Sequence, residues 1–242
     1  MTDATRLRAA ITGLIGLAAT EEQVLLATTP EAEAGDPGRW AAKPLVAHNT
    51  GFRSQQVIRL TAVADRETPP EFGDVDHTSA ALYRQLAAAT SVGAVARDSW
   101  QAAGDLIAAT QQAREDDLLD PARNPWLRGR QLWLQIIVRG FWHPTGHLGE
   151  YYLHHGQPER AVALAENAVA VAGYLGAPAP ARGMASYNLA CARAGAGLLD
   201  EAATAVADAI ALNPDVRANA SRDRDLASVR DSGRLAAVLS GG

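Results

Sequence analysis

Long stretches of apolar residues at helical spacing, with no stretch that alternates as a strand does, restrict this chain to an all-α fold. In the first stretch Leu7, Ile11 and Leu14 recur at intervals of three or four residues. Proline and glycine interrupt the pattern at residues 29–40 and again at 66–74. The sequence predicts helices over about residues 4–28 and 43–65, one long or two shorter helices over 76–114, and a further helix from about residue 126.

Charge and composition limit the partners that this chain can bind. A formal net charge of -5 provides no basic surface for a phosphate backbone, so nucleic acid is not an expected partner. The longest apolar stretch near the N-terminus, about eleven residues, is shorter than the roughly 20 that a membrane helix needs. It also lacks the basic start of a signal peptide. We therefore expect a cytoplasmic protein with no membrane partner.

Two segments in the C-terminal part of the chain resemble each other. Their alignment pairs small or apolar residues: Ala161 with Ala202, Leu148 with Leu189, Gly149 with Ala190, and Ala168 with Ala209. The offsets resemble those of the tetratricopeptide repeat (TPR), in which small residues let paired helices approach closely. Because that repeat has about 34 residues, the 41-residue offset predicts an insertion of about seven residues, near residues 177–183. The resemblance implies TPR-like helical hairpins.

Three histidines occupy positions that suit a shared metal ion. His143 and His147 stand four apart on a predicted helix, where their side chains point about 40° apart around the helix axis. His48 lies on the inward face of the second predicted helix, with Leu45 and Phe52. Imidazoles placed in this way can approach a single ion.

The same residues carry a resemblance to a known superfamily. Trp40, the segment KPLVAHNTGFRSQQVIRL that contains His48, and the HPTGH motif resemble the DinB-like four-helix bundles, a bacterial superfamily of metal-dependent enzymes. The resemblance implies an up-and-down bundle over residues 1–155, followed by the repeats over 156–242, with a shared helix at about 142–155. It also implies that His48, His143 and His147 hold a divalent ion, zinc or nickel, as a facial triad. Pro144, inside HPTGH, predicts a kink or a new helix start with His143 as its cap.

Each of the other candidate residues near the histidines has both a functional and a structural interpretation. Glu150 follows His147 by about one turn and is a candidate catalytic residue, either as a hydrogen-bond acceptor for that histidine or as a general base; it is equally a surface residue of the repeat. Four aromatic residues near the last bundle helix either line a ligand pocket or fill the core: Trp133, Phe141, Trp142 and Tyr151. The three histidines could themselves be core, cap and packing residues.

Three functions follow from these patterns. The bundle resemblance implies a metal-dependent hydrolase or thiol S-transferase that acts on a small-molecule substrate, in detoxification or self-resistance. A second reading is a metal-free protein that binds and sequesters a small molecule for resistance. A third is an interaction module, in which the repeats bind a peptide partner or a second copy of the chain as a homodimer. No nucleotide-binding or nucleophile motif supports other chemistry.

Overall fold

The computed structural model describes residues 3–30, 40–72, 83–85 and 87–240. Within these ranges all regular secondary structure is helical and no residue lies in a β-strand, which confirms the all-α prediction. The chain divides into two units, Met1–Pro144 and Thr145–Gly242, so the boundary lies inside a helix.

In its described part, the first unit has three long helices and two short ones, with two 3-10 turns before the last, and residues 83–85, 87 and 88 are also helical. They are α1 (Asp3–Thr28), α2 (Ala42–Asp65), α3 (Val92–Gln112), α4 (Glu115–Leu119), the turns Pro121–Arg123 and Pro125–Leu127, and α5 (Leu132–Ile137). The predicted bounds of the first two helices are confirmed to within one residue. The third predicted stretch breaks before α3, where the Ser91 hydroxyl accepts a hydrogen bond from the Ala94 N–H and caps the helix. Residues 76–82 and 86 of that stretch lie outside the described residues.

The core of the first unit forms where α1, α2 and α3 pack on one another. Each helix contributes fully buried aliphatic residues, including Ile15, Leu45 and Leu106. Gly140 lies against two of them, since a Cβ atom there would stand 2.7 Å from Ile15 Cγ1 and 3.0 Å from Leu106 Cδ2. The absence of a side chain at Gly140 therefore lets this part of the backbone approach the core.

The helix that carries His143 continues through the proline. After α5 the backbone widens into a π-helical turn (Val138–Trp142) and passes directly into α6 (His143–His154). His143 has α-helical dihedral angles, so the predicted new helix start with His143 as its cap is wrong, and the predicted kink stays a prediction. A proline ring clashes with the carbonyl four residues earlier in a regular helix, and that residue, Gly140, lies in the π turn, where the hydrogen-bond pattern is wider.

The second unit is a series of helices joined by short turns. After α6 come α7 (Pro158–Tyr174), α8 (Ala179–Gly195), α9 (Leu199–Leu212), and three short helices, α10 (Val216–Ala220), α11 (Ala227–Asp231) and α12 (Ala236–Ser240). Consecutive helices α7, α8 and α9 pack against each other. Gly183 on α8 permits a close approach, since a Cβ atom there would lie 3.0 Å from the backbone oxygen of Ala209 on α9. The glycines that end the turns, Gly156, Gly176 and Gly197, have positive φ angles, which favour glycine.

Replacing Leu189 by aspartate should destabilise the second unit by about 3 kcal/mol, because an unpaired carboxylate would enter an apolar interface. Leu189 lies on α8, is 7% exposed, and belongs to a core cluster with Val206 and Ile210. Thermal unfolding followed by circular dichroism measures the effect. Tyr174→Asp, at a position 91% exposed, is the control and should change little. Equal behaviour of the two variants would contradict the packing described for α8.

Helix α1 is the one described helix that is long and apolar enough to cross a membrane by length and composition alone. Half of its most apolar window is buried within the protein, and a core helix of a soluble protein satisfies the same criterion. Its interior includes Glu22, which is fully buried and bonded to Arg53 of α2. The cytoplasmic location expected from the sequence stays a prediction.

Candidate functional site

His48 is held in an aromatic environment on the buried face of α2. It is 1% exposed. The centroid of its ring lies 5.0 Å from that of Trp40, 4.6 Å from that of Phe52 and 5.3 Å from that of Tyr83. Tyr83 packs so closely on α2 that a Cβ atom at Gly51 would overlap its hydroxyl group. These rings fix the orientation of the imidazole and exclude water from most of its surface.

His143 meets His48 directly. The two Nε2 atoms are 2.8 Å apart, a hydrogen-bond distance in which one ring donates and the other accepts. The Phe52 ring stacks on His143, with centroids 4.1 Å apart and planes 20° apart, so one aromatic residue supports both imidazoles. Two ligand nitrogens on one ion, each about 2.0 to 2.1 Å from it, stand roughly 3 Å apart. The spacing of the pair is therefore close to that of two metal ligands.

His147 completes a cluster of three imidazoles. It lies one turn beyond His143 on the continuous helix α6, so the backbone of that helix fixes the spacing between the two. One ring nitrogen from each of His48, His143 and His147 lies within 4.8 Å of the other two. The structure thus brings together the three predicted ligands as a possible three-histidine metal site.

Glu150 contacts His147, as predicted for a hydrogen-bond acceptor of that histidine. Its Oε2 atom lies 3.3 Å from His147 Nδ1, and its side chain is 51% exposed. The hydrogen bond to His147 lowers the pKa of the Glu150 carboxyl below its usual value. A carboxylate bonded to Nδ1 holds the proton on that atom and leaves Nε2 of His147 as a ligand. Because a lower pKa makes a weaker base, the geometry favours a positioning role over general-base catalysis.

Comparison with known proteins identifies no relative for this arrangement. No protein-family model matches the chain, and no curated protein or solved structure matches it. A shared fold would not decide the activity, because one fold can support many functions. Inference about function therefore rests on the residues of the site.

The four aromatic residues predicted to line a pocket are all buried, at 9% exposure or less. Trp133 donates from Nε1 to Gln131 Oε1 at 2.7 Å. Phe141 and Trp142 lie in the π turn that precedes His143. Tyr151 stacks on His155, with ring centroids 3.9 Å apart. None of the four lines the cavity of the second unit, and their predicted role in a ligand pocket stays a prediction.

The second unit contains a cavity of about 330 Å³. Its wall includes Tyr187, whose hydroxyl donates to Asp223 Oδ2 at 2.5 Å, and the neighbouring carboxyl of Asp225. Burial and the charge of Asp223 raise the pKa of Asp225. Cys191 also lines it, and burial raises the pKa of its thiol, which makes it a poor nucleophile at neutral pH.

Three polar residues of the first unit were not predicted from the sequence as parts of a site. Gln56 and Arg59 follow His48 along the buried side of α2, at offsets of eight and eleven residues, and both are less than 10% exposed. Arg139 reaches the same region from the π turn, with its Cζ atom 4.4 Å from the centroid of the Phe52 ring. The helical spacing of His48, Phe52, Gln56 and Arg59 was the available signal, because it places these side chains on one face.

Proposed function

We propose that this chain is a metal-dependent enzyme that modifies a small molecule, with His48, His143 and His147 as the metal ligands. One observation carries the proposal: a ring nitrogen from each of the three lies within 4.8 Å of the others. Neutral imidazole is the nitrogen ligand preferred by zinc and nickel. A divalent ion bound there supplies a Lewis acid that lowers the pKa of a water molecule or a low-molecular-weight thiol.

The surroundings of the three histidines suit this role. His48 is fixed by aromatic contacts and has its Nε2 atom directed at His143. Glu150 orients His147 through Nδ1. The side chain of His147 is 22% exposed, so a small substrate can reach the site from its side. Three protein ligands leave further positions on a divalent ion for substrate or nucleophile, which is the arrangement of catalytic metal sites.

The reaction class we propose is hydrolysis or thiol S-transfer, in detoxification or self-resistance. It follows from the resemblance of the first 155 residues to the DinB-like bundles, which we propose as the family of this chain, fused to TPR-like repeats. Helix α2 with His48 and helix α6 with HPTGH support the first assignment. Buried small residues on paired helices support the second: Ala161, Ala168, Ala202 and Ala209. We propose a small-molecule substrate and a cytoplasmic location on the same basis.

Removal of divalent ions should abolish turnover, and added zinc or nickel should restore it. The assay is a panel of small esters and amides for hydrolysis, and of small electrophiles with a low-molecular-weight thiol for transfer. Glu150→Gln should lower the metal-restored activity by about 10- to 100-fold, because a neutral amide oxygen is a weaker acceptor for His147 than the charged carboxylate. Glu159→Gln, which removes an exposed carboxylate from α7, is the matched control and should have no effect.

Activity that survives complete metal removal would contradict the proposal. Tight binding of a small molecule without turnover, in protein that takes up no metal, would instead favour the metal-free sequestering protein. Capture of a peptide or self-association through the second unit, again without metal, would favour an interaction module or homodimer.

A further inference from the structure

Arg59 is an almost fully enclosed cation in the interior of the first unit. It is 7% exposed, and its Nε and Nη1 atoms make no hydrogen bond to the described residues. Its guanidinium faces two aromatic rings, with Cζ 4.9 Å from the centroid of Phe72 and 5.8 Å from that of Trp126. Burial, together with the positive charge of Arg139, lowers the pKa of Arg59. Since arginine keeps its proton in proteins, its charge is enclosed beside a second positive charge.

In the described part of this unit, the buried carboxylates Glu22 and Asp117 bind side chains other than Arg59. Glu22 accepts hydrogen bonds from Arg53, Ser99 and Asn49. Asp117 lies within 3.5 Å of three other arginines: Arg66, Arg114 and Arg123. Neither carboxylate is bonded to Arg59. The arrangement differs from an ordinary buried ion pair, in which each charge has a partner.

Two further side chains near Arg59 have buried donors with no partner among the described residues. Gln56, one turn earlier on α2, is fully buried, and neither its Nε2 nor its Oε1 atom is hydrogen-bonded to a described residue. The Nε1 atom of Trp126 is likewise buried without a partner. Buried polar groups in native proteins almost always have partners, so a set of this kind calls for an explanation. Guanidinium, amide and indole N–H groups together match the acceptor oxygens of an anion.

Arg139, whose charge acts on Arg59, also contacts the aromatic ring beside two of the candidate metal ligands. The Cζ atom of Arg139 is 4.4 Å from the centroid of the Phe52 ring. The same ring contacts His48 and His143, at centroid distances of 4.6 and 4.1 Å. One aromatic side chain therefore joins the arginine region to the candidate metal ligands. Eight residues of helix separate Gln56 from His48, about 12 Å, which is the length of a small metabolite.

We infer that Arg59, Arg139 and Gln56 form a subsite for a small oxyanion, a carboxylate or phosphate carried by the substrate. The role of the subsite in catalysis rests on the proposed function, whereas the binding of the anion does not. Arg59 supplies a forked pair of donors, Gln56 adds its amide, and Arg139 adds charge on the side of the histidines. The anionic end of a substrate bound there places its other end at His143 and His147.

Inorganic phosphate and succinate are the probes, measured by isothermal titration and by the midpoint of thermal unfolding, in metal-free and metal-loaded protein. We expect at least one probe to bind the wild type and raise its midpoint. Arg59→Gln should weaken that binding at least about tenfold, because charge-assisted hydrogen bonds are lost. Arg59→Lys, which keeps the charge but not the fork, should retain part of it. Arg97→Gln, which removes an exposed charge from α3, should bind as the wild type does.

The preferred probe identifies the anion: phosphate indicates a phosphorylated substrate, and succinate a carboxylate. Arg59→Gln should also raise the unfolding midpoint in buffer without either probe, because it removes an uncompensated buried charge. The inference is overturned if neither probe binds the wild type, or if Arg59→Gln binds as well as the wild type. Anion binding that persists in protein unable to take up metal would sustain the subsite while the proposed function fails.

Discussion

Glu22→Ala should lower the free energy of unfolding by about 3 to 5 kcal/mol, because it leaves a buried arginine charge without its partner. Both Glu22 and Arg53 are 0% exposed. The pair is bidentate, with Arg53 Nη1 2.6 Å from Glu22 Oε2 and Nη2 3.0 Å from Oε1. Ser99 and Asn49 donate to the same carboxylate at 2.6 and 2.9 Å. The substitution therefore leaves three donor residues, on two other helices, without their acceptor.

Urea unfolding followed by circular dichroism measures the loss, and Glu67→Ala, at an exposed position just after α2, is the control. Replacement of both partners, Glu22→Leu with Arg53→Met, should cost less than Glu22→Ala alone, since no charge is then left buried. A loss under about 1 kcal/mol for Glu22→Ala would show that the buried ion pair contributes little to the stability of the first unit.

The helices were predictable where the apolar pattern was long and regular. In α1 the residues Leu7, Ile11 and Leu14 recur at helical spacing, and all three are 5% exposed or less. Local pattern decides such elements because each apolar residue faces the same side. The second unit contains helices that pair in order, as expected, and its arrangement as TPR-like hairpins stays a proposal.

The π turn was not predictable from local rules. Pro144 indicated a kink or a new helix start, since a proline inside a helix removes a hydrogen bond. The chain continues instead because the backbone widens at Val138–Trp142 and the small Gly140 packs closely against Ile15. That contact joins residues far apart in sequence, so tertiary packing overrides the local signal.

Some residues of the candidate site were predictable from the sequence and others were not. His48, His143 and His147 could be proposed because helical spacing fixes which side chains share a face. Tyr83 could not, since its position against Gly51 depends on contacts between separate segments. Arg59 and Glu22 were missed for a related reason: the sequence gives the residue types but not which buried charge has a partner.

Metal content tests the three-histidine site most directly: elemental analysis counts the metal in untagged protein purified without chelator, and titration follows the uptake of zinc or nickel. We expect one ion per chain in the wild type. We expect His48→Ala, His143→Ala and His147→Ala each to weaken metal affinity by more than about 100-fold while the protein stays helical. His154→Ala, at the exposed end of α6, should keep the ion. A wild-type protein that neither retains nor takes up zinc or nickel, or one that loses its ion equally through His154→Ala, would contradict the three-histidine metal site.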